Sequence, residues 1–329
     1  MFDRSVLEID LAREADDIAA RLRDIVQRRL RCRGLVVAVS GGIDSSVTCA
    51  LAVRALGPGR VFALLMPERH SDSASSRRGL LLADALGIAR VVEDIAPALE
   101  AIGCYRRYDD AVRRVVPGYG DGWKSKLVLP GDLLDSDRVN VSRLVVQAPG
   151  GAEETVRLPA DVYLELVAAT NFKQRIRKTL EYFHADRLRY AVAGTPNRLE
   201  YDQGFFVKNG DGSADVKPIA HLYKTQVYAL ARYLGLPGEV CDAQPTTDTF
   251  SLPQTQSEFY FALPYQEMDL LLWARTHDVA ATEAAAVLGL EPVQVERVYR
   301  DIERKRAAAA YLHLPPVLLR PVTAGSAGQ

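Results

Sequence analysis

The sequence predicts an α/β fold, a doubly wound parallel sheet with helices on both faces. Three observations carry that prediction: short continuous β-branched runs, helix-forming segments closed by glycine between them, and alternation of the two up to Val92. Strands buried on both faces lose the inside-outside alternation, and parallel neighbours need a right-handed crossover, which the intervening helices supply.

Residues 12–30 carry Ile18, Leu22, Ile25 and Val26 at helical spacing among Arg and Asp, so an amphipathic helix is expected before Gly34. Leu35-Val36-Val37-Ala38-Val39 is a buried strand, Ser40-Gly41-Gly42 a tight loop, and residues 45–56 a helix ended by Gly57. A second unit follows, with strands over 61–66 and 89–92 about a helix over 76–86 that Gly87 stops. From Cys104 to about Ala169 Gly, Asp and Arg are dense, and residues 142–158 read as a β-hairpin about Pro149-Gly150-Gly151. This stretch, bounded at residues 105–169, is expected to be an insertion. The α/β pattern resumes with a helix over 172–182, a strand over 190–193, a long glycine-rich loop and a helix over 224–234 closed by Gly235. The last third is mostly helical to Ala310, giving a helical C-terminal region over residues 266–329 within a single domain spanning 1–329.

The chain has 329 residues, 48% apolar and 25% charged, enough for a substantial core and far from a disordered composition. Lys and Arg total 41 against 42 Asp and Glu, so no global basic field draws nucleic acid. The four cysteines, Cys32, Cys49, Cys104 and Cys241, form no metal-binding spacing and read as reduced thiols of a cytoplasmic protein. The acids near the N-terminus argue against a signal peptide, and no apolar run approaches the roughly 18 residues of a membrane span.

Ser40-Gly41-Gly42-Ile43-Asp44-Ser45-Ser46 falls between the first strand and its helix, at the sheet edge where doubly wound proteins bind ligands. Its glycines admit a phosphate to the backbone, the helix N-terminus offers free N–H groups, and Ser40, Ser45 and Ser46 add hydroxyls. An acid within an anion site needs a cation, so Asp44 is expected to hold Mg²⁺. The loop lacks the GK[ST] ending of γ-phosphoryl transfer and the GxGxxG of hydride transfer.

SGGxDS after a strand resembles the pyrophosphate loop of the N-type ATP pyrophosphatases, which cleave ATP between its α and β phosphates. Within that superfamily, Asn171-Phe172-Lys173-Gln174-Arg175-Ile176-Arg177, Gly194-Thr195-Pro196-Asn197-Arg198-Leu199-Glu200, residues 204–212, Leu222-Tyr223-Lys224-Thr225-Gln226 and Pro245-Thr246-Thr247-Asp248 resemble the ammonia-dependent NAD synthetase family in order and spacing. The resemblance covers residues 18–104 and 170–306 and implies an adenine nucleotide alpha hydrolase-like sheet.

It also implies a reaction: ATP adenylates the nicotinate carboxylate of deamido-NAD, pyrophosphate leaves, and ammonia displaces AMP. Carried onto this chain, Ser40, Gly41, Gly42, Asp44, Ser45, Ser46, Met66, Thr195, Lys224 and Thr246 are implied ATP contacts. Asp44 and Glu200 are the implied Mg²⁺ ligands. Arg175, Phe205, Lys208, Asp211 and Glu258 are the implied acyl-substrate residues, and Asp44, Lys224, Asp211 and Thr246 the catalytic ones. A symmetric homodimer is implied as well. The sequence leaves no room for a glutaminase half, so ammonia is expected free or from a separate glutaminase.

Two departures fall on the acyl side. The loop after Thr246 carries Phe259, Tyr260 and Phe261, with Ser257 and Tyr260 where the family has carboxylates, and the 105–169 stretch is longer than the usual connection. An ammonia-dependent NAD synthetase is expected first, and a ligase of the same mechanism acting on another biosynthetic carboxylic acid second. A non-catalytic ATP-binding homologue is disfavoured by the intact Asp44, Glu200, Lys224 and Thr246. The aromatic loop is expected to close on the insertion through Val145, Val146, Val156, Tyr163 and Leu166 as an enclosure for the acid.

Overall fold

The computed structural model describes residues 2–128, 134, 142–244, 249–254 and 263–320. In chain order the elements are α1 (Leu11–Asp24), β1 (Leu35–Ala38), α2 (Ile43–Leu56), β2 (Val61–Leu65), α3 (Ser73–Leu86), β3 (Ala89–Val92), α4 (Ala96–Ala101) and α5 (Cys104–Arg113). There follow β4 (Lys124–Val128), β5 (Arg143–Gln147), β6 (Glu153–Arg157), α6 (Ala160–Leu188), β7 (Ala191–Ala193), α7 (Arg198–Gln203) and α8 (Lys224–Tyr233). The last are α9 (Gly238–Cys241), α10 (Tyr265–Thr276), α11 (Ala281–Leu288) and α12 (Pro292–His313).

The expected parallel sheet is present, with four strands in the order β3-β2-β1-β7. Its two faces alternate residue by residue. Leu35, Val37, Ala63 and Leu65 pack with α1, α2 and α8, whereas Val36, Leu64 and Val192 pack with α4, α5 and α6. The strand order reverses beside β1, so the loop after β1 opens into the crevice between β1 and β7, where this topology leaves room for a ligand.

Several boundaries differ from the sequence expectation. The first helix does not stay α to residue 30: it ends in a π-helical turn, Ile25–Arg29, in which Leu30 N–H reaches back to the Ile25 carbonyl at 2.8 Å. α3 starts before residue 76 because Asp72 caps it, its carboxylate accepting the Ala74 N–H at 3.0 Å. The helix expected over 172–182 runs through Ala160–Leu188, apolar around much of its first turns, so no single stripe marks its start.

Between residues 105 and 169 the chain forms α5, the first turns of α6 and a three-stranded antiparallel sheet, β4-β5-β6. The hairpin read in the sequence is β5 and β6, and β4 adds a third strand that sequence reading missed. Leu127, Leu144, Val146, Val162, Leu166 and Phe250 form their common core. A further core joins α10, α11 and α12 to Phe2 and Leu199. Among the described residues no helix is long and apolar enough to cross a membrane.

Candidate active site

The loop after β1 is built by steric necessity. Gly41 has φ +78°, and a Cβ there would lie 2.1 Å from the Ser75 carbonyl oxygen, so only glycine fits between β1 and α3. Arg78 holds the outside of the turn, donating from Nε to the Gly41 carbonyl at 3.1 Å and from Nη2 to Ser75 Oγ at 2.9 Å. Inside it, Ser45 Oγ donates to the Gly42 carbonyl at 3.0 Å and meets Ser40 Oγ at 3.1 Å. Ser46 is fully buried and turns its hydroxyl back to the same carbonyl at 2.8 Å, so it braces the loop. The first-turn N–H groups of α2 have no partner within the helix and aim their partial positive charge into the crevice.

Asp44 stands in the first turn of α2, and three distant groups converge on it. Asn197 Nδ2 donates to its Oδ1 at 3.0 Å, Lys224 Nζ donates to its Oδ2, and Glu200 lies close enough to repel it electrostatically. Asn197 caps α7 reciprocally with Glu200: Oδ1 accepts the Glu200 N–H at 3.1 Å, and Glu200 Oε2 accepts the Asn197 N–H at 3.1 Å. Burial first, then the Asp44 carboxylate, pushes Glu200 up to about 8. Burial opposes the charge on Lys224, but Asp44 and Glu200 outweigh it and hold the ammonium well above the usual lysine range. Thr195 sits half-buried just past β7, and Met66, just past β2, is buried and offers its carbonyl to Arg177 Nε at 3.3 Å.

The residues expected on the acyl side form a second group. Arg175 on α6 donates to the Lys208 carbonyl at 3.3 Å, and Asp211 accepts the Val207 N–H at 2.7 Å, with burial raising its carboxyl. Lys208 Nζ does not point freely: it donates to the Tyr311 carbonyl at 2.9 Å and lies 3.9 Å from the Tyr311 ring centroid. Phe205 packs at the edge of the α10–α12 core, and Phe206 stacks 6.2 Å from Tyr201. Thr246, Glu258 and the aromatic run 259–261 lie outside the described residues.

The flank of the aromatic loop, residues 249–254, is tied to the β4-β5-β6 sheet. Leu252 N–H donates to the Ser125 carbonyl at 3.1 Å, Ser125 N–H to Ser251 Oγ at 2.8 Å, and Gln254 Nε2 to the Leu127 carbonyl. A cavity of about 180 Å³ lies where these parts meet, with Arg69, Tyr105, Tyr108, Trp123, Lys173 and Phe250 in its wall. No residue of the 40–46 loop lines it. Lys173 is buried there and donates to Glu68 Oε1 at 2.9 Å and to the Thr249 carbonyl at 2.7 Å.

The sequence motifs contain Asn197 and Lys173 but assign neither a role. Asn197 did carry a signal, the Asn-x-x-Glu spacing of a capping box. Lys173 carried none, since its partners Glu68 and Thr249 are remote in sequence.

Asp44, Glu200 and Lys224 converge at the Gly41 loop, and comparison with known proteins sets the family. The model of the NAD synthase family matches residues 14–118 and 145–308. The chain belongs to the NAD synthase family. A relative from Rhizobium meliloti (strain 1021), an NH(3)-dependent NAD(+) synthetase, is 58% identical over 322 residues, covering 98% of this chain and 96% of its own length. The stretch that the family model leaves between residues 118 and 145 is therefore spanned by that alignment as well. Among solved structures, the NMN synthetase of Francisella tularensis matches with TM-score 0.62 and 22% identity over 95% of this chain and 99% of its own. The NH3-dependent NAD synthetase of Campylobacter jejuni matches with TM-score 0.61 and 22% identity over 95% and 100%. These two establish the fold, and their different names show that the fold by itself leaves the acid open.

Proposed function

We propose that this chain is an ammonia-dependent NAD synthetase: it adenylates the carboxylate of deamido-NAD with ATP, releasing pyrophosphate, and aminates the adenylate with ammonia to give NAD and AMP. The observation that carries the reading is the assembly of Asp44, Glu200 and Lys224 at the Gly41 loop, in a chain 58% identical to a named NH(3)-dependent NAD(+) synthetase. A carboxylate resists ammonia because it is anionic and its oxide leaves poorly, and an acyl-adenylate removes both obstacles.

The loop glycines and the N-terminus of α2 would receive the phosphates, and Lys224 would stabilise the departing pyrophosphate as a point charge. Asp44 and the buried Glu200 are hard oxygen donors with too much negative charge for Lys224 alone, a pair that fits Mg²⁺ shared with substrate phosphates. Mg²⁺ bound by them would supply charge neutralisation at the phosphates. Arg175, Phe205, Lys208 and Asp211 would face the acid and ammonia, with Asp211 orienting ammonium or accepting its proton. Ammonia would enter free or from a separate glutaminase. A homodimer would follow from the family resemblance, and sedimentation would test it.

The deciding experiment supplies ATP, Mg²⁺ and ammonium with deamido-NAD or with a panel of other carboxylic acids. AMP and pyrophosphate in step with NAD are expected with deamido-NAD. Stoichiometric ADP would overturn the mechanism, and preference for another acid would move the assignment to the second reading.

A further inference from the structure

Asp269 lies on α10, outside the motifs that mark the nucleotide site, yet its side chain is fully buried against the start of α8. Its Oδ2 accepts the Thr225 N–H at 2.7 Å, and the Lys224 N–H lies beside the same carboxylate. Among the described residues its Oδ1 has no hydrogen-bond partner of ordinary geometry, and the Thr225 hydroxyl lies beside the carboxylate. One turn earlier on the same face of α10, Tyr265 sets its ring 5.3 Å from the Lys224 ammonium. Two residues of one helix thus grip the two ends of Lys224, the backbone and the charged tip.

This placement is poor for stability. A fully buried carboxylate costs more than a neutral group of the same shape that could accept the same Thr225 N–H, so its presence calls for a reason other than packing. Lys224 supplies one. As the first residue of α8 it puts a full positive charge at the positive end of the helix dipole, where cations are disfavoured. A carboxylate behind that end offsets the dipole and holds the first turn in place.

We infer that Asp269 is a positioning residue for Lys224: it anchors the first turn of α8 and supplies the negative charge that lets the ammonium stand at a helix N-terminus facing Asp44 and Glu200. The inference rests on the ligase reading above, because it needs Lys224 to act on the nucleotide. Asp269 touches no substrate and acts only through the lysine. The charge would favour the pyrophosphate-stabilising geometry, so its loss should fall on turnover more than on binding.

The test uses the full chain as wild type, Asp269→Asn, Lys224→Met and the double variant, assayed for pyrophosphate release and NAD formation from ATP, ammonium and deamido-NAD. Asp269→Asn is expected to lower kcat about tenfold or more with KM for ATP within about twofold of wild type. In the Lys224→Met background the same change should alter residual turnover by less than about twofold, because the residue it positions is gone. Near-wild-type kcat in Asp269→Asn, or an equal loss in both backgrounds, would overturn the inference. If Asp269→Asn does not fold, Asp269→Ser is read in the same cycle. Failure of both to fold would assign the carboxylate to stability and also overturn it. Absence of AMP formation by the wild-type chain is a separate outcome: it refutes the ligase reading directly, and the inference with it.

Discussion

Lys224 and Asp44, 180 residues apart in sequence, form an ion pair at the carboxyl edge of the sheet, with the lysine buried and the carboxylate partly open to solvent. The pair closes the site from opposite sides, since Asp44 opens α2 and Lys224 opens α8. Each sits at a helix N-terminus, which suits the carboxylate and opposes the ammonium, so the pair is not built for stability alone. Asn197 holds the other Asp44 oxygen and thereby fixes which way the carboxylate faces.

Gly41→Ala is expected to leave the fold intact and to weaken ATP binding by about tenfold or more, because a Cβ at φ +78° would strike the Ser75 carbonyl and displace the turn. Gly42→Ala is a useful contrast. Its Cβ would meet only Ser40 Oγ, at 3.3 Å, so any loss there reports the space a phosphate needs. Calorimetric titration with ATP compares the two, and equal affinity for Gly41→Ala and wild type would remove the steric argument.

Asn197 has two separable tasks. Asn197→Ala should cost about 1 kcal/mol of stability as a lost helix cap and lower turnover about tenfold by freeing Asp44. Asn197→Asp keeps a capping oxygen but buries a third carboxylate beside Asp44 and Glu200, so near neutral pH it should be the less stable and the less active of the two, regaining stability as pH falls. Denaturant unfolding alongside pyrophosphate release gives both numbers. An active Asn197→Asp would mean that the contact with Asp44 has no part in the chemistry.

A pH dependence follows from Asp269. Burial pushes its carboxyl up to about 6 from an ordinary 3.8, against the opposing pull of the Thr225 and Lys224 N–H groups. The folded value lies above the unfolded one, so the proton is held on folding. The stability this provides is full below 3.8 and is lost as pH rises through about 6. Without nucleotide, Asp269→Asn should therefore melt higher relative to wild type at pH 7 than at pH 4. Glu200 titrates in both chains and cancels in the difference. A melting difference unchanged between the two pH values would contradict a buried, ionising Asp269.

The sheet was legible because each of its strands is a short apolar run between glycine-marked helices, a local pattern. The glycine turn after β1 was legible for the same reason, all seven residues of 40–46 being contiguous. β4 was not, because Lys124–Val128 gains its strand character from β5, whose partner residues begin at Arg143 beyond a Gly- and Asp-rich stretch. Nor was the start of α6, which is apolar on several sides where it meets the β4-β5-β6 sheet. Asp269 left no mark either. A carboxylate within Tyr265–Thr276 reads as a solvated charge until the fold brings Thr225, 44 residues earlier, against it.

The last expectation concerns the acid side, where the sequence anticipated an enclosure between the 105–169 stretch and the aromatic loop. Residues 259–261 are outside the described set, but their flank is laid along β4, with Phe250 buried among Leu127, Leu144 and Leu166. Deleting residues 142–158 is therefore a poor test, since β5 is the central strand of its sheet and its loss would take β4 and the shared core with it. Phe250→Ala is cleaner. It empties one side chain from the joint between loop and sheet and keeps every strand, at a cost of about 3–5 kcal/mol if the site does not collapse. If the joint holds the loop over the acyl-adenylate, a loosened loop admits water and hydrolysis competes with ammonia. The ratio of AMP formed to NAD formed should then rise above one while KM for ATP stays near wild type. Unchanged coupling in a folded Phe250→Ala variant would show that the β4-β5-β6 sheet does not govern closure, and the enclosure reading would fall.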